Sequence, residues 1–366
     1  MINDKITFFL PVIKTGGAEK VYINLGKSFL KLGYNVEILT LRCQNIENFN
    51  FEGLRIVNLN KSRILFSIFA LYKYIKVQKP DYFFSTLIHS NLISLFIKIF
   101  LRTNSKFIIR EANIPSLSMS DLFFLKRKVF NFLIKLIYPY ADKIISVTEG
   151  IKNDLIINFK IKKNLISTIY NPIDKEEIIL KSNYNFESDF NPKDFFPYFI
   201  CVGSLTKQKN HEFLIKVIKE INKKKKCYLI IIGSGYNLDY LESISQKLDL
   251  KDNIIFLGNI INPFPYMKHS TGLILPSLWE GLPNILIESL CLNIPIIASN
   301  SSDGVENILK NGELGDIFDI NDDKKLINLL LNKLNKKKLI NTNNDLARFD
   351  TLKITKSYIN IINDLK

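Results

Sequence analysis

The stretch Lys5-Ile6-Thr7-Phe8-Phe9-Leu10, followed by Lys14-Thr15-Gly16-Gly17-Ala18-Glu19-Lys20, reads as a strand running into a glycine-bearing loop. The first run has no polar alternation, as expected of a strand covered on both faces. Residues 21–32 then place apolar side chains at helical spacing up to Gly33, a helix stop, and residues 35–41 form a second apolar strand. Strand, glycine-rich loop, helix and strand in that order open a doubly wound α/β domain with a parallel sheet. Working outward, further strands are expected at residues 82–85, 107–109 and 143–147, with helices at 64–77, 92–101 and 122–138.

Asn171-Pro172-Ile173-Asp174 interrupts this alternation. Residues 175–197, polar and bearing Asn and Pro, read as a linker with one short helix. A second α/β unit begins at Tyr198-Phe199-Ile200-Cys201-Val202-Gly203, with strands expected at 227–232, 254–257, 272–275 and 295–298. The expected organisation is a first Rossmann-like domain at 1–172, a linker at 173–197, a second such domain at 198–349, and a helical tail at 350–366. A chain of 366 residues has room for about two domains with a core each.

Composition narrows the function. Hydrophobic residues make up 47%, which excludes a disordered chain. The formal net charge of +15 implies anionic partners. No zinc-finger, RNA-recognition or helix-turn-helix pattern accompanies it, so nucleic acid is not expected. Lysines set beside Ile, Leu and Phe point to an anionic membrane surface, although a chain rich in Ile, Lys and Asn accounts for part of the excess. Residues 82–97, the longest uncharged stretch, are too short and too polar to span a bilayer. No signal peptide is evident where Asp4 and Lys5 precede only a short apolar run. Cys43, Cys201, Cys227 and Cys291 are scattered, as are His89, His211 and His269, so no structural metal is expected. A cytoplasmic protein, peripheral on the inner face of the membrane, fits these features.

Glu280-Gly281-Leu282-Pro283-Asn284-Ile285-Leu286-Ile287-Glu288 sets two carboxylates with seven residues between them across what reads as a helix start. Pro283 suits a first turn, and Asn284 or its neighbours can cap the amides there. Such an end favours phosphate. A carboxylate beside it can accept hydrogen bonds from vicinal hydroxyls, as on a ribose. These parts describe a sugar-nucleotide site.

Ser277-Leu278-Trp279-Glu280-Gly281-Leu282-Pro283-Asn284, then Glu288-Ser289-Leu290 and Asn293-Ile294-Pro295-Ile296-Ile297-Ala298, resemble the signature of glycosyltransferase family 4. That resemblance implies a retaining enzyme of GT-B fold, two Rossmann-like domains facing a cleft, whose terminal helix crosses back onto the first domain. It assigns Glu288 to the ribose hydroxyls, the loop with Leu282 and Asn284 to the transferred sugar, and Glu280 to the reacting centre. Gly16-Gly17-Ala18-Glu19 resembles the family's first-domain loop beneath the donor diphosphate and facing the acceptor, where glycine permits close backbone approach. In Gly203-Ser204-Leu205-Thr206-Lys207-Gln208-Lys209, Lys209 matches the family's diphosphate-binding Lys. Ser204 stands where Arg is usual. Either another base such as Lys207 substitutes, or the site works with less charge, or activity is impaired. Gly233, in Ile232-Gly233-Ser234-Gly235, corresponds to a turn bordering the nucleotide.

Other segments leave alternatives open. His89 is a catalytic candidate by resemblance, or a satisfied, partly buried histidine. Asn300-Ser301-Ser302-Asp303-Gly304-Val305-Glu306 reads as a ligand contact or as a turn and helix cap. Arg110-Glu111-Ala112-Asn113 resembles a segment of the polysaccharide-assembly branch, which puts Arg110 and Glu111 with Glu19 on the acceptor side. Along residues 122–138, Arg127, Asn131 and Lys135 line one stripe with Lys128 beside it, opposed by Leu122, Val129, Leu133 and Leu136. That helix is either interfacial, on anionic lipid, or a core-packing element. The expected function is transfer of a hexose or N-acetylhexosamine, without metal, from a UDP-sugar to a lipid-linked or polysaccharide acceptor. The rivals are a sugar-nucleotide epimerase and a non-catalytic nucleotide-sugar-binding subunit.

Overall fold

The computed structural model describes residues 2–13, 16–43, 51–61, 67–118, 124–187, 190–335 and 345–366. Lys14, Thr15, Leu122, Phe123, the first residues of the helix expected at 64–77 and Lys336-Lys337-Lys338, a basic run that reads from the sequence as solvated surface, lie outside the described residues. Two units result: Met1–Ile173 with Arg348–Lys366, and Asp174–Ala347.

The first unit runs β1 (Ile2–Ile13), α1 (Gly17–Lys31), β2 (Tyr34–Cys43), β3 (Arg55–Asn58), α2 (Ile68–Gln78), β4 (Tyr82–Thr86), α3 (Ile88–Leu101), β5 (Lys106–Glu111), α4 (Pro115–Ser118), α5 (Phe124–Ile137), β6 (Lys143–Ser146), α6 (Glu149–Phe159) and β7 (Ile166–Thr168). The strands form one sheet in the order β3-β2-β1-β4-β5-β6-β7, every pair parallel. Phe8 aligns with Ile38 on one side and Phe84 on the other, and all three are fully buried. This is the strand covered on both faces that the apolar run predicts.

The second unit runs α7 (Lys175–Lys181), β8 (Tyr198–Val202), α8 (His211–Asn222), β9 (Tyr228–Ile232), α9 (Leu238–Lys247), β10 (Ile254–Gly258), α10 (Phe264–Lys268), β11 (Gly272–Leu275), α11 (Asn284–Cys291), β12 (Ile296–Ser299), α12 (Asp303–Ile308), β13 (Asp316–Phe318) and α13 (Asp323–Asn335). Its sheet is also all parallel, in the order β10-β9-β8-β11-β12-β13. Apart from Ile173, the described part of the expected linker is built into this unit. Backbone N–H groups of Ile261 and Asn262 donate to Glu187 at 2.8 and 2.5 Å, and the Asn262 amide donates to the Lys181 carbonyl at 2.8 Å. Phe186 packs on Tyr266 with ring centroids 5.0 Å apart. A polar composition suggested a linker, but here the polar groups tie the segment down.

The final helix, α14 (Thr351–Asp364), returns to the first unit. Asp350 caps it by accepting from Lys353 N–H at 2.9 Å. Ile354, Tyr358, Ile361 and Ile362 fall on one stripe and enter the core around Phe8, Tyr22 and Phe84. The backbone also closes there, where Ile173 N–H donates to the Phe349 carbonyl at 2.8 Å.

Candidate functional site

In a parallel sheet, ligands settle beyond the carboxyl ends of strands where the strand order reverses. In the second unit that point is β8, which pairs with β9 on one side and β11 on the other. The loops leaving β8 and β11 carry Lys209 and Glu280. Their side chains meet: Lys209 Nζ lies 2.5 Å from Glu280 Oε1, with 18% and 7% of the two side chains exposed. Ser277, fully buried, donates from Oγ to the same Oε1 at 2.7 Å. Among the described residues nothing donates to Oε2, the remaining oxygen of Glu280.

The loops are stapled by hydrogen bonds to backbone carbonyls. Leu278 N–H donates to the Gln208 carbonyl at 2.8 Å, and the Gln208 amide donates to the Trp279 carbonyl at 2.8 Å. Ser299 Oγ donates to the Ser277 carbonyl at 2.6 Å, and Ser302 Oγ to the Gly281 carbonyl at 3.2 Å. Gly233, at the end of β9, has φ +143°, and a Cβ there would lie 1.9 Å from the Gly203 carbonyl oxygen. The two turns are therefore backbone against backbone.

α11 begins at Asn284, with Pro283 as the extended residue before it, whose own side chain makes no capping bond. Pro283 is thus the N-cap residue and lies outside the first turn that was expected for it. The positive end of α11 therefore follows Glu280 by four residues. Glu288 sits one turn in, 7% exposed, and Leu282 is buried in the preceding loop. Ser204 and Lys207 are both exposed on the β8 loop. The segment at 300–309 forms α12, capped by Ser302, whose Oγ accepts from Val305 N–H at 3.3 Å.

Sequence reasoning missed four side chains in this corner. Thr206 Oγ1, Trp279 Nε1, Ser301 Oγ and both ring nitrogens of His211 are buried with no hydrogen-bond partner among the described residues. Buried polar atoms are usually paired, so such a cluster beside the Lys209–Glu280 pair marks a place built for polar ligand groups or water. No pattern in the sequence singled them out. Burial first, and the Lys209 charge second, hold the His211 imidazole down from the ordinary 6.5 to about 4. The unfolded chain therefore takes up this proton before the folded one as pH falls. Stability is full above about pH 6.5 and declines toward pH 4, by on the order of 3 kcal/mol for this group. Urea unfolding followed by Trp279, the only tryptophan, should show this decline, and His211→Gln should flatten it.

In the first unit the strand order reverses at β1, between β2 and β4. Gly16 and Gly17 follow β1, and a Cβ on Gly16 would lie 2.2 Å from Glu19 Oε2, so the buried Glu19 carboxylate folds over that glycine. His89 lies on the first turn of α3, which starts earlier than expected. It is exposed, its ring 4.9 Å from that of Phe130 in an edge contact, and burial of part of the ring lowers its pKa. Leu87 before it has φ +75° and ψ +135°, a strained conformation for a branched residue. Asn91 holds this turn to the sheet: it accepts from Ser85 Oγ at 2.8 Å and donates to Glu111 Oε1 at 2.7 Å.

Arg110 and Glu111 do not lie in a strand-end loop. They end β5 and are each 1% exposed. Arg110 donates to Thr86 Oγ1 at 3.1 Å and to Asn171 Oδ1, and Glu111 accepts from Asn91 and from the Tyr138 hydroxyl. Burial pushes the Glu111 carboxyl up to about 7. Both side chains bond inside the unit, but the partners of Glu111 do not fully offset its desolvation, and Arg110 Nε is buried with no hydrogen-bond partner among the described residues. As acceptor contacts they are corrected to a supporting network beneath Leu87 and His89. No group of three or more His, Cys, Asp or Glu side chains among the described residues is placed to hold a metal ion.

Two family models match the chain: "Glycosyltransferase Family 4" over residues 15–177 and "Glycosyl transferases group 1" over residues 184–348. The chain is 28% identical to N-acetylgalactosamine-N,N'-diacetylbacillosaminyl-diphospho-undecaprenol 4-alpha-N-acetylgalactosaminyltransferase of Campylobacter jejuni, across 96% of this chain and 97% of that one. It is 34% identical to the uncharacterized glycosyltransferase MJ1059 of Methanocaldococcus jannaschii, spanning 68% of this chain but only 62% of that relative. The structure of Anabaena HepE in complex with UDP-glucose matches with a TM-score of 0.79 at 16% identity, covering 98% of this chain and 99% of that one. The galactosyltransferase WaaB matches at 0.69 and 20% identity, covering 98% and 99%. These likenesses identify the GT-B fold.

Proposed function

Because the chain belongs to the glycosyltransferases, with a family 4 domain followed by a group 1 domain, we propose that it transfers a hexose or N-acetylhexosamine from a UDP-sugar. The acceptor is a lipid-linked or polysaccharide glycan of a bacterial cell surface. The observation that carries this reading is the meeting of Lys209 and Glu280, just ahead of the start of α11, at the strand-order reversal of the second unit. An ammonium and a helix end suit a diphosphate, and a carboxylate beside them suits sugar hydroxyls. The full-length Campylobacter relatives, named for diphospho-undecaprenol acceptors, support the acceptor class.

In this reading Lys209 and the amides at Asn284 hold the donor diphosphate, and Glu288 takes the ribose hydroxyls. Glu280 presents Oε2 to the transferred sugar. The bond from the sugar's anomeric carbon to the diphosphate breaks as the acceptor oxygen attacks on the same face. The leaving diphosphate takes the acceptor proton, and configuration is retained. Gly16, Gly17, Glu19 and His89, at the reversal point of the first unit, serve the acceptor side. Work at the inner membrane surface suits both the acceptor and the +15 charge. No helix among the described residues is long and apolar enough to cross a membrane.

Ser277 positions Glu280 by fixing Oε1. Ser277→Ala is expected to lower kcat about tenfold, with the donor KM within about twofold, since a hydrogen bond to a charged group is lost while the binding groups remain. Steady-state kinetics at varied donor concentration separates the two.

The test of the reading is nucleotide release from a panel of UDP- and GDP-sugars, with and without a bacterial lipid extract. Lipid-stimulated release from one donor, lost in Glu288→Ala, is the expected result. The exposed, uncharged Ser204 favours a second reading, a non-catalytic nucleotide-sugar-binding subunit. Binding of a nucleotide-sugar with no turnover of any donor would establish that one instead.

A further inference from the structure

α5 breaks the usual rule for a surface helix. Its inner side carries Ile134 and Ile137, but also the half-buried Arg127 and Asn131, and Asn131 Oδ1 is buried without a partner among the described residues. Its outer side carries Leu125, Val129, Phe132 and Leu136, a helical stripe with exposures of 64%, 51%, 63% and 53%. Of the two readings left open for this helix, core packing would bury Val129 and Leu136, yet both point to solvent, and part of the polar stripe points in. Helix α3 packs beside it, with the His89 ring against Phe130. The last turns of α3 expose Phe96, Ile99 and Phe100, again at helical spacing.

Isolated exposed apolar side chains need no explanation, whereas rows of them on two neighbouring helices mark an interaction surface. The charges say what kind. Neither helix contains an Asp or Glu, and exposed Lys126, Lys128 and Lys135 are interleaved with the apolar row of α5. The Lys128 ammonium lies 4.4 Å over the exposed Phe124 ring, so charge and ring share this surface. A second copy of the same face would set lysine against lysine. An anionic bilayer supplies phosphates for the lysines and an acyl boundary for the rings.

We propose that the α3–α5 face docks the protein on the surface of an anionic lipid bilayer. Docking there would bring the first unit to where a lipid-linked acceptor lies, so it rests on the acceptor class proposed above.

Vesicle flotation of the whole chain tests it, with vesicles of phosphatidylcholine alone and of phosphatidylcholine with phosphatidylglycerol. Binding is expected on the anionic vesicles and should weaken with salt. The variant Lys126→Gln/Lys128→Gln/Lys135→Gln should partition about a hundredfold more weakly, at about fivefold per lysine. Leu125→Ser/Phe132→Ser should also release the protein, and nucleotide release with a detergent-soluble acceptor should be unchanged in both variants. Vesicle binding without any donor turnover would leave the docking face standing and remove the transferase reading. Equal binding by wild type and both variants, binding to neither vesicle, or a dimer in solution that these variants dissociate would overturn the docking face.

Discussion

Lys209→Met is expected to lower kcat/KM for the nucleotide-sugar by about two to three orders of magnitude, the usual effect of removing one preorganised charge from a reacting centre. Two losses combine. The donor diphosphate loses its cation, and Glu280, only 6% exposed, loses the partner that neutralises it at 2.5 Å. The pairing also makes a second-order prediction. In the double variant Lys209→Met/Glu280→Gln the losses should be markedly less than the sum of the single ones, because each single variant strands the other charge. Additive losses would mean that the two side chains act separately. Urea unfolding read at Trp279 checks that the second unit still folds in each variant.

Gly233→Ala is expected to destabilise the second unit by about 4 kcal/mol or more, in the range reserved for forced backbone rearrangement. The added carbon would meet the Gly203 carbonyl at 1.9 Å in a backbone conformation that side chains rarely adopt. Backbone cannot step aside as the end of a flexible side chain can. Gly312 supplies the comparison, since it has φ +107° but nothing within 4 Å of a new Cβ. Gly312→Ala should therefore cost only about 1 kcal/mol. A similar urea midpoint for the two variants would mean that the β8 and β9 turns are not held together as described.

Much of this was legible in the chain. The order of strands and helices emerged because the central strands are continuous apolar runs, and the Glu280–Glu288 segment carried its chemistry in local spacing. The strands missed, β3, β7 and β13, are three or four residues long and lie at or next to sheet edges, where burial on one side leaves little pattern. Long-range pairings were invisible. Arg110 looked like an acceptor contact because its partners, Thr86 and Asn171, are 24 and 61 residues away. Lys209 and Glu280 were each assigned a ligand, but not to each other, across 71 residues. The orientation of α5 was undecidable from its periodicity, since apolar side chains lie on both of its sides. His211 had no signal beyond its place two residues after Lys209, and only its burial sets it apart.

The central claim is sugar transfer from a nucleotide to a lipid-linked glycan through Glu280, and mass spectrometry of the acceptor tests it most directly. A bacterial lipid extract incubated with the donor that the release assay selects should gain the mass of one hexose or N-acetylhexosamine on a lipid-linked glycan. Glu280→Gln should abolish that gain while the second unit still unfolds cooperatively. A nucleotide-sugar that binds with no mass gained by any acceptor, or an undiminished gain with Glu280→Gln, would contradict the account.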